Sequence, residues 1–261
     1  MATRKGPPFQ IVLIMACVGV LMIISWLSIS SPEAREENKA RTTLVYFLEA
    51  LGRAPLERVG KELHPTVLRQ YNPETLKKAL AQLDLSGPLS LKAFGEGEQT
   101  FEPRQWMWQL NTQTLNAEAQ AVGQETPLIA FIQYPEEIKI SRRWHVRSLC
   151  RPQQELEEVT RAILADSQRI AKGTPPSEPS QTASQLLSDK GQYLAAIKSL
   201  SAAPQRQQAY EMAVVTEPRL QSEARWPNSR LVLQWEATPG DDLNCRYVLQ
   251  GYRMGGTIDA P

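Results

Sequence analysis

Two histidines and three cysteines supply much of the reactive side-chain chemistry in this 261-residue sequence. A histidine can act as a general base because its usual pKa lies near neutrality. His64 directly precedes Pro65 at a predicted helix end, where its ring can cap backbone groups. His145 lies between Arg143 and Arg147 on a predicted strand. Both are ordinary structural settings, so the sequence predicts no catalysis that depends on histidine.

The spacing motifs of enzymes and metal sites do not occur in the sequence. It has no Ser/His/Asp arrangement, no Gly-rich phosphate loop, no Cys-x-x-Cys and no cluster with metal-ligand spacing. The run at residues 95–98, Gly-Glu-Gly-Glu, predicts a hairpin turn because its carboxylates would repel a phosphate. We therefore predict a protein that is not an enzyme and has no catalytic residue, no metal and no cofactor.

Cys150 and Cys245 are the cysteines available for pairing, because Cys17 falls inside a long apolar run. They can join in a disulfide across the fold, or each can be a buried thiol. Sequence spacing does not decide between these interpretations, since a disulfide requires Cα atoms within about 7 Å of each other. Both interpretations stay open at this stage.

Trp106 and Trp108 alternate with Gln105, Met107 and Gln109, which is the pattern of a strand. Such a pair of tryptophans can line a ligand cavity. Alternating aromatic residues are more often the buried face of a core. We favour the core interpretation and keep the cavity lining as the alternative.

A basic face is predicted on the strand that ends near residue 146, where polar residues alternate with apolar ones. The basic face consists of Lys139, Arg143, His145 and Arg147. It is suited to anionic lipid headgroups or to an acidic partner protein. The alternative is an ordinary solvated strand face.

A long apolar run near the N-terminus sets the predicted organisation of the chain. Residues 9–30 carry no charge, and about 20 apolar residues suffice to cross a bilayer as a helix. Arg4 and Lys5 precede the run, which predicts a cytoplasmic tail at residues 1–8 and an extracytoplasmic location for the bulk of the chain. The predicted location is the cell membrane, crossed once.

Other interpretations of residues 9–30 fit less well. A cleaved signal peptide has a shorter apolar region, although Ser28 and Ser30 form a small-x-small pair. In a lipoprotein signal the apolar run would stop at Cys17, but here it continues to Ile29. A buried globular helix would be apolar on one stripe only. An uncleaved anchor is the favoured interpretation, and cleavage stays open.

Composition and a linker-like segment predict the domain boundaries. The net charge is +1, so no basic field favours nucleic acid. Residues 173–184 are rich in Pro and Ser, which is typical of a linker. We predict an α+β domain at 33–150, a helix and linker at 151–184, and C-terminal helices with a β-hairpin at 185–261.

Apolar periodicity predicts the individual elements. Asn72 and Pro73 are typical of a helix start, with the asparagine as cap and the proline in the first turn. The predicted helices include 33–51, 153–172, 185–200 and 204–215. The predicted strands include 128–132, 230–236 and 245–253.

From residue 41 to 146 this layout resembles the nuclear transport factor two-like, or cystatin-like, superfamily. Residues 43–51, 56–65 and 73–80 are similar to its three helices, and Trp144 stands where its last strand carries a tryptophan. The resemblance implies an α+β fold with helices packed on a curved antiparallel sheet around a cone-shaped cavity. Some members use the cavity for catalysis and many are binding or assembly modules, so fold alone does not settle function.

We predict a single-pass, membrane-anchored extracytoplasmic scaffold or accessory subunit of a membrane or envelope complex, without catalytic activity. Its predicted partners are the membrane and other membrane or envelope proteins, not nucleic acid. The scaffold proteins of type IV secretion systems share this plan. The alternative is a small-ligand-binding protein or enzyme that uses the conical cavity. Titratable groups inside the cavity would favour the alternative, whereas a filling of Trp and Leu would favour the scaffold.

Overall fold

The chain forms helices and two antiparallel sheets. The structure is a computed structural model that describes residues 31–51, 53–85, 87, 89–95, 97–102, 104–116, 118, 120–136, 143–174, 186–188, 190–202, 210–216, 220–227 and 229–256. The helices are α1 (Pro32–Ala50), α2 (Leu56–Gly60), α3 (Pro65–Leu68), α4 (Pro73–Gln82), α5 (Pro152–Ala171) and α6 (Lys190–Ser201). The strands are β1 (Leu89–Phe94), β2 (Glu98–Gln99), β3 (Gln105–Leu115), β4 (Ala121–Gln133), β5 (His145–Cys150), β6 (Glu211–Val215), β7 (Leu220–Trp226), β8 (Ser229–Pro239) and β9 (Cys245–Gly256).

Local capping explains where the first long helices begin. Ser31 caps α1, and its hydroxyl accepts a hydrogen bond from the Ala34 amide at 3.1 Å. At the start of α4, Asn72 and Thr75 form a capping box, and Pro73 occupies the first turn. These caps satisfy backbone amides that have no partner within the helix. The helix start predicted at Asn72 is therefore observed.

The first sheet has the strand order β1-β3-β4-β5. The short strand β2 also pairs with β3, on the same edge as β1 but nearer to the start of β3. Two distant segments cover the outer edge of β5. The Val146 amide donates to the Glu62 carbonyl at 2.9 Å, and the His64 amide donates to the Val146 carbonyl at 2.8 Å. Further along, the Leu149 amide donates to the Leu243 carbonyl at 2.7 Å. Backbone groups that would stay unpaired at a sheet edge are thereby satisfied.

Both faces of the first sheet are buried near its centre, as residues 128–132 of β4 show. Leu128, Ala130 and Ile132 lie in a first core, formed with α1 to α4. Ile129 and Phe131 lie in a second core, formed with α5, α6 and the second sheet. Successive strand residues face opposite sides of a sheet. A strand covered on both sides must therefore be apolar throughout, which explains the unbroken apolar run at 128–132.

The second sheet is an antiparallel meander with the order β6-β7-β8-β9. The strands predicted at 230–236 and 245–253 lie within β8 and β9. They pair along their length, and the Gly240 amide donates to the Asn244 carbonyl at 3.0 Å to close the connection. The predicted hairpin is therefore one half of a four-stranded sheet.

The C-terminal helix-hairpin region of the predicted fold class needs correction. The helix predicted over 204–215 is wrong where the structure describes it, because residues 211–215 form β6 and pair with β7. Val214 and Val215 are β-branched residues, which fit an extended strand better than a helix. The strand β7 is not among the predicted elements, because Ser222 and Ala224 occupy its central buried positions without the large side chains that mark a core face.

The transmembrane part of the predicted fold class is also corrected. Within the described ranges, no helix is long and apolar enough to cross a membrane. The long helices α1 and α5 each bury one face and carry charged side chains elsewhere, which a bilayer core disfavours. Residues 9–30, the tail at 1–8 and most of the linker predicted at 173–184 lie outside the described residues. The observed fold class is α+β with two antiparallel sheets.

Candidate functional site

A groove of about 920 Å³ lies between the first half of α1 and one end of the first sheet. This volume is in the range of ligand-binding sites in proteins. Aromatic, cationic and acidic side chains border the groove together. The residues that define its chemistry are Glu36, Lys39, Arg104, Trp106, Tyr134 and Trp144.

Packed aromatic rings form one wall of the groove. Tyr134 and Trp144 meet edge to face with their ring centroids 5.7 Å apart, an arrangement that the ring quadrupoles favour. Trp106 stacks on Trp108 with their centroids 5.9 Å apart. Because each ring is held by another ring, the wall presents a fixed apolar surface.

Two hydrogen bonds hold the Glu36 carboxylate in the groove. Lys39 Nζ donates to Oε1 at 2.6 Å, and Trp144 Nε1 donates to Oε2 at 3.1 Å. The hydrogen bond from Lys39, with a smaller contribution from Trp144, lowers the pKa of Glu36. The group is therefore ionised at neutral pH. A carboxylate that is ionised and already paired is suited to positioning Trp144 rather than to transferring protons.

Arg104 adopts an unusual backbone conformation at the groove. Its φ is +53°, in the left-handed region that residues other than glycine rarely occupy. The Arg104 carbonyl accepts a hydrogen bond from the Tyr134 amide at 3.0 Å. The Arg104 guanidinium lies 5.3 Å from the centroid of the Tyr134 ring, a cation–π contact. The β3–β4 pair thus holds a strained residue whose cation borders the groove.

The cavity predicted around Trp106 and Trp108 is largely filled. Trp108 is 1% exposed and belongs to the first core together with Leu44 and Phe47 of α1. Trp106 is the member of the pair that borders the groove. The inner part of the sheet therefore fits the core interpretation, and the mouth retains a binding surface.

Gly97, in the glycine-rich run at 95–98, packs beside Trp108. A Cβ on Gly97 would come within 2.7 Å of the Trp108 indole nitrogen, so the close approach requires glycine. The run joins β1 to β2, which both pair with β3 and not with each other. It is therefore a connection along one sheet edge, and the predicted hairpin turn is wrong.

The structure separates the residues of the predicted basic face. Lys139 lies outside the described residues. Arg143 is exposed at the rim of the groove, Arg147 is half-buried, and His145 is 3% exposed. The difference arises because residues 62–64 cover the outer edge of β5 and enclose His145. Strand alternation does not reveal such a cover.

Arg143 has partners on that covering segment. Its Nη1 lies 3.3 Å from Glu62 Oε1 in a salt bridge, and its Nη2 donates to the Lys61 carbonyl at 2.7 Å. These contacts fasten the segment before α3 to the start of β5. Arg143 therefore both borders the groove and binds the segment that covers the edge of β5.

His64 and His145 lie close together, with their ring centroids 6.4 Å apart and their planes nearly perpendicular. Burial lowers the pKa of each histidine to about 4, assisted by the positive charges of Arg147 near His64 and Arg143 near His145. Both imidazoles are therefore neutral near neutral pH. A general base works best when its pKa lies near the operating pH, which these histidines do not match.

Cys150 and Cys245 form a disulfide that joins β5 to β9. Their Cα atoms lie 5.4 Å apart, and 95 positions separate them in the sequence. Of the two interpretations left open by the sequence, the structure has the bonded one. The disulfide links the first sheet to the second.

Sequence reasoning missed two charged residues at the junction of the two cores. Arg151 is 3% exposed, and its guanidinium donates to the Leu83 carbonyl at 2.8 Å. Glu155 accepts a hydrogen bond from the Tyr247 hydroxyl, and burial raises the pKa of Glu155. Glu155 precedes the buried Val159 by four residues, and this helical spacing was the available signal.

Comparisons of the chain with protein-family models, with curated proteins and with solved structures give no match. The resemblance to the nuclear transport factor two-like superfamily therefore stays a prediction. In the part of the chain that the structure describes, no group of three or more His, Cys, Asp or Glu side chains is placed to hold a metal ion. The groove beside α1 is the candidate site on its own geometry.

Proposed function

We propose that this chain is a non-catalytic scaffold or accessory subunit that works outside the cytoplasm and binds a partner protein through the groove beside α1. The proposed partners are other proteins of a membrane or envelope complex. The disulfide between Cys150 and Cys245 supports this compartment, because disulfides persist where the surroundings are oxidising. The net charge of +1 gives no support to nucleic acid as a partner.

The observation that carries the proposal is the filling of the space between α1 and the first sheet. Trp108 and Leu128 from the sheet meet Leu44 and Phe47 from the helix there. The charged side chains of the groove border it outside this apolar core, and Glu36 among them is already paired. Among the residues that the structure describes, the space between α1 and the sheet is filled by these apolar side chains rather than open to a substrate. Trp, Tyr and Arg at the mouth are the residue types most enriched where proteins bind each other.

A small-ligand-binding protein is the second candidate, and the groove itself favours it. Its volume of about 920 Å³ suits a small molecule. The packed rings of Tyr134 and Trp144 offer a flat apolar surface, and the Arg104 guanidinium lies beside them. These features would select a flat, anionic ligand.

Photo-crosslinking in the native cells tests the proposal. A photoreactive residue replaces Asn38, which borders the groove and is exposed, in the full chain. We expect a crosslink to one discrete protein. Thr42→Trp blocks the groove from the same helix and should lower the yield about tenfold. Ser199→Trp makes a similar change at an exposed position of α6 and should leave the yield unchanged.

A second measurement distinguishes the two candidates. Native mass spectrometry of the purified full chain would show a bound small molecule if the groove is a ligand site. A ligand that is retained by the Ser199→Trp chain and released by Thr42→Trp, together with no protein crosslink from residue 38, would replace the first candidate with the second. Equal crosslinking in both variants would contradict the groove as the binding site.

A further inference from the structure

A second cleft, of about 660 Å³, lies between the two sheets. On one side it is bordered by residues 98–102 and by β3, and on the other by β8. Phe131, Leu220 and Trp235 form an apolar floor together with Met107. The cleft and the groove beside α1 share Gln99 on their borders. The other described lining residues differ between the two, and the floor of the cleft belongs to the second core.

The charges around this inter-sheet cleft have one sign. Its described lining contains Glu98, Glu102 and Glu236 and no Lys, Arg or His, although the whole chain has a net charge of +1. All three carboxylates are exposed. Glu102 also acts electrostatically on Arg147. Within the described ranges none of the three carboxylates is in a salt bridge, although Glu236 accepts a hydrogen bond from the Gln250 amide. Glu98 and Glu236 therefore keep their negative charge beside the cleft.

Amide side chains supply many of the other polar groups of the cleft. Gln99, Gln109 and Gln234 border it, and each amide has both donors and an acceptor. A peptide backbone also offers a donor and an acceptor at each residue. These glutamine side chains can therefore form hydrogen bonds with the backbone of an extended peptide, whatever its side chains are.

Phe101 is a fully exposed aromatic ring beside the cleft. Moving such a ring from water into contact with a partner's apolar surface would lower the free energy. Aromatic rings at the border of an apolar floor commonly become central contacts when a partner covers them. Phe101 is therefore an observation independent of the negative charge, and both favour the same kind of ligand.

We propose that the inter-sheet cleft binds an extended, basic segment of a partner protein. Side chains of an extended segment alternate between two sides. Apolar side chains on one side meet the floor and Phe101, while Lys or Arg side chains on the other meet Glu98 and Glu236. The charge of the cleft selects against acidic segments, since unpaired like charges repel. This proposal does not depend on the function proposed for the groove beside α1.

Fluorescence anisotropy with a labelled peptide tests the proposal on the full chain. The probe alternates lysine with leucine over about eight residues, a length that extends across roughly 26 Å. We expect Glu98→Gln with Glu236→Gln to weaken binding about tenfold or more, and Phe101→Ala to weaken it about tenfold. The matched control removes two exposed carboxylates elsewhere, by Glu49→Gln with Glu125→Gln, and should change binding less than twofold.

The outcomes separate the proposal from its alternatives. Equal weakening by the two carboxylate pairs would mean general electrostatic attraction and would overturn it. A chain that dimerises through this face would show a change of mass in sedimentation when Phe101→Ala is made, without specific peptide binding, and that result would also overturn it. Thr42→Trp should leave peptide binding unchanged, so failure here and failure of the groove are distinguishable.

Discussion

The two cores on opposite faces of the first sheet are held together by different chemistry. The first core packs α1 to α4 on the sheet mainly through apolar side chains. The second core contains polar groups that pair in its interior. Tyr193 donates to Asp166 Oδ2 at 2.6 Å, the hydroxyls of Thr160 and Ser222 lie 2.7 Å apart, and Trp235 Nε1 donates to Ser222 Oγ at 2.8 Å.

The two regions are therefore specified in different ways. Apolar packing tolerates changes of residue type if the volume is kept. Buried polar groups tolerate little, because a group left without its partner keeps the whole cost of its desolvation. The first core therefore depends on shape and the second on matched pairs. The disulfide between Cys150 and Cys245 joins the two regions where β5 meets β9.

Truncating Trp108 should have the largest effect on this comparison. The side chain is 1% exposed in the first core, and Trp108→Ala should lower the free energy of unfolding by about 3–5 kcal/mol. Urea denaturation followed by circular dichroism measures the change. Phe101→Ala, at an exposed aromatic, is the control and should alter stability by less than about 0.5 kcal/mol. Similar losses in both variants would show that the first core is not centred on Trp108.

Removing the disulfide should come next in size and test the link between the regions. Cys150→Ser with Cys245→Ser should cost about 2–5 kcal/mol, because the bond closes a long loop between cysteines that are 95 positions apart. Denaturation with and without a reductant measures it. The unchanged chain should lose stability on reduction, whereas the double variant should not respond. A reductant effect of equal size in both would exclude the disulfide as its cause.

The smallest effect should be a pH dependence with opposite signs in the two regions. His64 and His145 have folded pKa values of about 4, below the ordinary 6.5. The unfolded chain therefore binds more protons between these values, and stability falls as the pH falls through this window. Burial raises the pKa of Glu155 above 4.5, so its contribution is present at low pH and is lost as the pH rises.

Unfolding free energies measured from neutral pH to about pH 4 check this prediction. The His64→Gln and His145→Gln variants should each show a flatter acid profile than the unchanged chain. The Glu155→Gln variant should show a steeper acid profile, because the folded chain then lacks the proton uptake by Glu155 that opposes the effect of the histidines. A profile that rises toward acid in the unchanged chain would contradict the assignment of the two histidines.

The spacing of apolar residues and local capping signals predicted much of the secondary structure. The stripe of α1, the cap of α4 at Asn72 and the helix predicted at 153–172 all follow from spacing within one element, and the structure has them. The unbroken apolar run at 128–132 likewise predicted a covered strand. These features depend on neighbours within a turn of helix or a strand pair, so the order of residues alone is enough to predict them.

Tertiary structure decided the site. Glu36 and Trp144 are 108 positions apart, yet a hydrogen bond joins their side chains at the groove. Burial of His145 depends on a segment near residue 63 that covers the edge of β5, and β6 depends on pairing with β7. Alternation shows which residues share a face, but it does not show which distant segment covers that face. Contacts between distant segments form only when the chain folds and brings those segments together. The site therefore depends on tertiary packing, and no single stretch of sequence predicts it.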